Sequence, residues 1–587
     1  MLARLRLEVL TVLHRRTQRL LPGFLVICAL ASLCSTVSAQ TWTKELAQGI
    51  TFAQKVIASP RPEVISILTV DPKVPGVRIE SVLSQDKVVA DDPNKGREVV
   101  SSMAKRLDAT AVINADFFPM TGEIPGDPLN LQIIKGELVS EPSERIVFGM
   151  TSDRRFVFDR LEFDAKITLS DGKWFPIRGI NRGRADNQMV AYTSRFADST
   201  RTSNVGAEAI VKCECMPVKL GVPIKGVVCE VRSKAGNTAI LEDCVVLSGA
   251  GTGSKFIEEN LKTGMSVTIE FQVKGPRTGG WEKVVEAVGG CPWLVRDGKQ
   301  FIDAKEEGSG AGFYAAVHPR TAVGVTKDGK LIIVTVDGRQ SISGGMTLAQ
   351  LADVMLSQGC VEAANLDGGG STTMATAFGI LNSPSSGIQR AVANGIAVFG
   401  NPSSSSDVEF AVSTPAPVPS GTTTQLCLLD SSTGQPLNAD VANSAIWSTT
   451  GGMGFVDQSG KLYGVKARSG NLIVRLGSKT VSVLVQTIPG PPANLSADLK
   501  ADPSGAPNRG ILAASVTDLN GNSIEGAQIP LKVTGGTADQ ATLTTGKDGR
   551  VSTGVTWDGT PGAQVEVTCG SLSAKAAKSE KPPSKPG

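Results

Sequence analysis

Asp367 is followed by Gly368-Gly369-Gly370 and then by Ser371-Thr372-Thr373. A carboxylate, three residues without side chains and three hydroxyls in succession can act on a ligand that carries negative charge. Glycine removes bulk and admits positive φ, so backbone can approach a ligand closely. Successive amides in such a turn can cradle an anion. Asn365 precedes Asp367 by two positions, and the same spacing recurs in Asn114-Ala115-Asp116, with Phe117-Phe118 behind it. A third carboxylate opens Asp337-Gly338-Arg339, and Arg320-Thr321 offers a guanidinium able to grip phosphate through two parallel bonds. Each feature also has a plain reading. A glycine run can be a simple turn, Asn and Asp favour turns through local hydrogen bonds, and Arg320 can be a structural ion-pair partner of one of these carboxylates.

The elements that must position these residues separate the two readings. Thr347 and Gln350 have the spacing of a capping box. Leu348, Leu351, Ala352, Met355 and Leu356 then recur at helical spacing, Gly359 ends the helix, and a short apolar run leads into Asn365. Ala111-Val112-Ile113 is a strand that delivers Asn114 and Asp116, and 331–336 is a buried strand that delivers Asp337. Three carboxylates therefore stand at strand ends, where sites on α/β scaffolds often sit. Residues 64–70 predict a strand, 98–107 a helix, 145–285 a mostly β region, and 40–60 a short lead-in. The stretch 248–254 misses both the P-loop and the dinucleotide glycine spacing and is a turn. Asp297-Gly298 and 327–330 are hairpin turns.

Composition narrows the chemistry. The net charge of +3 over 587 residues and the 5% of aromatics support neither nucleic acid nor an anionic membrane as partner. The 64 glycines and 32 prolines point to many turns and a β-rich chain. Arg4, Arg6, Arg15, Arg16 and Arg19 precede an apolar run at 20–34, and Val37-Ser38-Ala39 is a small-residue cleavage site. Residues 1–39 thus predict a signal peptide cut after Ala39, and a secreted, periplasmic or cell-surface protein with no membrane span in the mature chain. Cys213, Cys215, Cys229 and Cys244 then predict disulfides, with zinc disfavoured by the Cys-x-Cys spacing. A Cys291–Cys360 disulfide is a further expectation. Of the 2 histidines only His318 outlasts such a cut, which excludes a multi-histidine metal centre; no metal and no cofactor are expected.

Past Gly400 the texture changes. A Ser-rich linker is followed by two stretches of short alternating strands, the pattern of sandwiches. The predicted organisation is 1–39 signal peptide, 40–401 catalytic domain, 402–488 and 489–573 Ig-like domains, and 574–587 disordered tail. Asp518-Leu519-Asn520-Gly521-Asn522 mimics the start of a calcium loop, but Ile529 stands where the bidentate glutamate belongs, so it is a hairpin turn.

Taken together, Asn114–Phe118, Arg320–Gly324, Asp337–Arg339 and Asn365–Thr372 resemble the phosphodiester glycosidase family over roughly residues 60–400, and the last module resembles invasin-type Ig-like repeats. Two positions depart from the usual pattern, Ala115 and Cys291 standing where glycine is common. The resemblance implies an α+β catalytic domain with mixed β-sheets, followed by two all-β Ig-like sandwiches. It implies an exported, α-N-acetylglucosaminidase-like hydrolase that cleaves a sugar 1-phosphodiester at the sugar side, on a phosphodiester-linked glycan or surface polysaccharide. Asp116, Asp337 and Asp367 would bind sugar and do acid–base work, the choice of base or nucleophile staying open. Arg320, Ser371, Thr372 and the backbone of Gly368, Gly369 and Gly370 would hold phosphate, with Asn114, Thr321 and Asn365 also binding substrate. The alternative is a non-catalytic carbohydrate-binding or adhesion protein, with the Ig-like modules touching a surface polymer. On this reading the C-terminal modules add nothing to the site.

Overall fold

The computed structural model describes residues 38–277, 279–302, 306–308, 310–403, 408–413, 415–506 and 508–577. Nearly all of the predicted export segment and residues 578–587 of the predicted tail lie outside the described residues. The chain is mostly β, arranged in several sheets. Helices contribute less than an α+β reading implies: those described run from 5 residues (Ala439–Asn443) to 10 (Leu348–Ser357).

One sheet positions the site. Its order is Ser38–Ala47, Ile50–Ser59, Glu63–Val70, Leu331–Val336, Arg320–Thr326, Cys360–Leu366, Trp293–Arg296 and Lys299–Gln300, each antiparallel to its neighbour. Successive side chains in a strand face opposite sides, and here both sides are covered. Leu68, Val323, Ile333, Ala364 and Leu366 pack one way, together with Ile113, Met374 and Ile396. Ile65, Ala322, Ile332, Val334 and Ala363 pack the other way, against Leu348, Leu351, Ala352 and Met355. That double burial is why 331–336 reads as a continuous apolar run rather than an alternation.

The first face is closed by a four-stranded sheet in the order Met374–Ala375, Ala111–Asn114, Asn394–Phe399, Arg78–Leu83. The helix on the second face starts as its sequence requires: the Gln350 amide donates to Thr347 Oγ1 (3.3 Å) and the Thr347 amide to Gln350 Oε1 (3.0 Å). Residues 40–60 are not a lead-in but a ten-by-ten-residue hairpin at the sheet edge, turning at Gly49. Ile50, Phe52 and Gln54 are buried at alternate positions, a period-two signal short enough to be overlooked.

Between 132 and 289 lie a five-stranded sheet and a second eight-stranded sheet with a core of its own. That sheet is mixed through one parallel pair, Gly179–Ile180 on Met189–Tyr192. All eight described cysteines are free thiols, so none of the disulfides expected from the sequence is formed. Cys213 and Cys244 are buried in sheet strands, and the Cys213 and Cys244 thiols are bonded to Val211 O and Asp243 Oδ1 instead.

Residues 410–488 and 494–577 form β modules with separate cores, one built on Trp447 and Leu472, the other on Trp557 and Leu512. The last strand, Leu572–Ala577, takes in residues 574–577 that the sequence reading assigns to a disordered tail. Among the described residues no helix is long and apolar enough to cross a membrane.

Thr347→Ala removes the hydroxyl that closes the first turn of the helix behind the site. Equilibrium denaturation is expected to show a loss of about 1 kcal/mol, with the end-point spectrum of the folded protein unchanged.

Candidate active site

Asn114 is the last residue of its strand and is buried. Its Nδ2 donates to the Asp367 carbonyl (2.6 Å), while its Oδ1 accepts from the Thr373 amide and from Thr321 Oγ1, both at 3.1 Å. The Asp367 amide in turn donates to Ala115 O (2.8 Å). Asn365 does the corresponding work on the other side. Its Nδ2 donates to Cys291 O (2.6 Å), its amide to Pro292 O and its carbonyl accepts from the Cys291 amide. Three segments from distant parts of the chain are thereby stitched together at the end of the sheet, and Asp116 and Asp367 come to the same place.

The three aspartates are not equivalent. Asp116 is buried, with Oδ1 accepting from the Phe117 amide (2.7 Å) and Oδ2 from the Asn130 amide (2.9 Å). Burial pushes its carboxyl up to about 7; the two amides and Arg145 pull it down, and the Asp367 charge pushes it up. Gly289 leaves it room, because a Cβ there would lie 2.5 Å from Oδ2. Asp367 is only partly buried. Its enclosure raises it to about 6, opposed by the Ser371 hydroxyl, Arg390 and the Gly368 amide. Asp337 is buried and both its oxygens are occupied, Oδ1 by Asn382 Nδ2 (2.8 Å) and Oδ2 by the Ser383 amide (2.9 Å). Burial pushes it to about 7, and those two bonds alone oppose the shift. Asp337 fastens the 382–383 segment, and Asn382 Nδ2 is shared between Asp337 and the Thr372 carbonyl.

The glycines serve a purpose other than a cradle of free amides. The Gly369 amide donates to Pro319 O and the Ser371 amide to Gly368 O, so those two donors are already committed. What the missing side chains admit is guanidinium. A Cβ on Gly369, which has φ +61°, would lie 3.2 Å from Arg339 Nη2, and one on Gly370 would overlap the Arg390 guanidinium. Arg390 Nη1 also donates to Ser371 Oγ (3.3 Å). Arg339 and Arg390 thus flank the loop on opposite residues. Arg339 lies inside a motif legible in the sequence; Arg390 has no local signal at all.

Arg320 is buried and its guanidinium is held by carbonyls, Nε to Met346 O (2.9 Å) and Nη2 to Ala316 O (2.6 Å) and Phe313 O (3.3 Å). Burial, with Arg339 nearby, lowers it to about 10. Neither the expected ion pair nor a wholly free phosphate clamp describes it. Among the described residues no salt bridge is formed by Arg320, Arg339 or Arg390, although Arg390 acts on Asp367. His318 is pushed below its ordinary value by burial and by Arg339 and Arg320, which keeps it neutral at pH 7 and adds a fourth nitrogen-bearing group to this side. Ser371, Thr372 and Thr321 are buried; Thr321 Oγ1 meets Thr372 Oγ1 at 3.4 Å. Among the described residues no cluster of three or more His, Cys, Asp or Glu suits a metal ion.

The result is a partly buried carboxyl, Asp367, whose charge pushes up the buried Asp116, beside a concentration of positive charge. Residues 222–399 match the phosphodiester glycosidase family. That phosphodiester glycosidase segment contains Arg320, Asp337, Arg339, the glycine loop and Arg390, and stops short of Asn114 and Asp116, which lie upstream of it. N-acetylglucosamine-1-phosphodiester alpha-N-acetylglucosaminidase of Homo sapiens is 36% identical over 98 residues, 15% of this chain and 19% of that protein. The Bos taurus protein of that name is 38% identical over 98 residues, 15% of this chain and 18% of its own. An uncharacterized SPbeta prophage-derived protein, YomE, of Bacillus subtilis (strain 168) is 39% identical over 106 residues, 18% of this chain and 16% of that one. The chain therefore spans less than a fifth of each of these relatives. Two solved structures share the fold: a hypothetical protein from Synechocystis (TM-score 0.51, 21% identity, 62% of this chain and 64% of that one) and a Burkholderia pseudomallei K96243 protein described as exported (TM-score 0.50, 17% identity, 62% and 97%).

The raised carboxyl of Asp367 has a thermodynamic signature. An ordinary aspartate titrates near 4 in the unfolded chain and this one at about 6 in the fold. The unfolded state thus loses its proton first as pH rises, and the group destabilises the fold progressively between about pH 4 and 6, fully above that. Asp367→Asn is expected to be more stable than the native chain at pH 8, by on the order of 1–3 kcal/mol, with the gain vanishing below about pH 4. Chemical denaturation at both pH values measures it; an Asn variant no more stable at pH 8 contradicts the burial of this charge.

Proposed function

We propose that the chain hydrolyses a sugar 1-phosphodiester at the bond between the anomeric carbon and oxygen, with the phosphate as leaving group. The observation that carries this reading is the pairing of the partly open Asp367 with two arginines admitted by Gly369 and Gly370. A phosphate monoester leaves without needing a proton, so its departure is helped by fixed positive charge rather than by an acid. Arg339 and Arg390 receive it, with the buried Arg320 adding field from behind. Asp367, the less buried of the two carboxyls, acts at the sugar carbon, either by attack or by taking a proton from water. Asp116 behind it is buried, and the Asp367 charge adds to the push of its carboxyl upward. Asn365 Oδ1 is buried with no partner among the described residues. Asp337 is a positioning residue on this reading, through its hold on Asn382 and Ser383.

Residues 1–39 as an export segment and the C-terminal modules as Ig-like domains complete the picture of an enzyme working outside the cytoplasm on a phosphodiester-linked glycan. The family match and the likeness to a protein described as exported support this.

Turnover of a sugar 1-phosphodiester tests the reading directly. Asp367→Asn is expected to lower it on the order of 100-fold or more in a protein that remains folded. Hydrolysis in oxygen-18 water is expected to place the label in the released sugar. Label in the phosphate means attack at phosphorus and removes Asp367 from the role given to it.

A further inference from the structure

The active-site loops are gripped from outside their own domain. Ile380 and Thr449 exchange two backbone hydrogen bonds, Ile380 N to Thr449 O (3.1 Å) and Thr449 N to Ile380 O (3.2 Å). Seven residues on, Gly387 meets the same module at Gly452, where φ is +66° and a Cβ would overlap the Gly387 carbonyl oxygen. Between these two anchor points lie Asn382 and Ser383. Asn382 Nδ2 donates to Asp337 Oδ1 and also to the Thr372 carbonyl (3.2 Å), and Asn382 Oδ1 accepts from the Met374 amide (2.8 Å). The 380–387 segment therefore connects the middle module to the far end of the glycine loop.

The last module reaches the other loop. Ser341 Oγ, two residues from Arg339, donates to Asn520 Oδ1 (2.7 Å). Asn520 O accepts from Lys466 Nζ (2.6 Å) and Asn520 Nδ2 donates to Ser420 Oγ (2.8 Å), both in the middle module. The turn at 518–522, a calcium-loop look-alike in sequence, is the joint where the three parts meet. Gln340 then ties the two loops together, its Nε2 donating to Pro384 O (2.8 Å) and its Oε1 accepting from Ser383 Oγ (2.8 Å).

We propose that the two C-terminal modules are a brace for catalysis, fixing 380–387 and 339–344 about the glycine loop, with Gly452 and Asn520 as positioning residues. This rests on the reading of Asp367 as the reacting carboxylate. Arg390 is held independently, by Gln389 on Ser101 and Val392 on Glu98, so loosening the brace disturbs alignment at the carboxylate end more than the grip on phosphate.

The test uses the full chain with Gly452→Ala, and Gly434→Ala as its control. Gly434 has φ +69° in a turn of the same module, and a Cβ there would meet nothing within 4 Å; both variants carry equal backbone strain but only one meets the catalytic loop. Gly452→Ala is expected to speed hydrogen exchange of the 380–387 amides at least about tenfold and to lower kcat about tenfold, since small misplacements at a reacting centre cost this much, with KM within about twofold. Gly434→Ala is expected to match the native chain in both. Exchange in Gly452→Ala equal to the control overturns the brace, and faster exchange with unchanged kcat overturns its part in catalysis. Absence of turnover in the native chain defeats the functional reading instead, while exchange still decides the brace. If Gly452→Ala does not fold, Asn520→Ala puts the same question to the amides of 339–344.

Discussion

Everything at the site hangs on the Asn114 carboxamide. It satisfies one backbone carbonyl, one backbone amide and one hydroxyl, on Asp367, Thr373 and Thr321, groups that are costly to leave unpaired away from water. No aspartate at 114 could make this set, since an ionised carboxylate only accepts and the Asp367 carbonyl needs a donor. Because Asp116 lies two residues beyond Asn114 and Asp367 two beyond Asn365, locking the two asparagines into the sheet end fixes both carboxyls with hardly any freedom left. The push of the Asp367 charge on Asp116 follows from that backbone constraint.

Electrostatics then divides the labour. A carboxyl whose two oxygens both accept strong bonds has little capacity left for a substrate, and this describes Asp337 and largely Asp116. Asp367 is only partly buried, and the cation that acts on it is Arg390. Arg320 reaches the same end by another route: a cation buried against carbonyls projects its charge without meeting the ligand face to face. The field of a buried charge is less screened than that of one at an open surface, so a guanidinium locked on Met346 and Ala316 still acts on its surroundings, as His318 shows.

The asparagine-x-aspartate pairs at two strand ends were legible in the sequence, because strand, capping box and glycine punctuation are local signals. So was the helix at 348–357. What was not legible depended on partners far along the chain. Nothing around Asp337 in sequence says that Asn382 and Ser383 take both its oxygens. Gln389-Arg390 carries no motif, yet Gly370 is small because of it. The glycine run suggests an anion cradle only while its amides are assumed free, and two of them are committed to Pro319 and Gly368. The edge hairpin at 38–59 was hidden by polar residues on its outer face, and the cysteines by an inference from compartment that geometry does not share.

The contact of the C-terminal modules with the loops has a physical rationale. The loops at the candidate site carry buried charge and left-handed residues such as Arg339 at φ 60°, a backbone conformation that costs energy and persists only where the surroundings hold it. A sheet end has no further strands to stabilise it. Docking a separately folded β module against 380–387 supplies what the domain's own core cannot reach, and does so through backbone hydrogen bonds and a glycine–glycine contact that tolerate little displacement. Ile446 of that module even joins the core shared by the two sheets that carry the candidate site. Burying a side chain there ties the module to the sheets that carry the site, which is what the proposed brace requires.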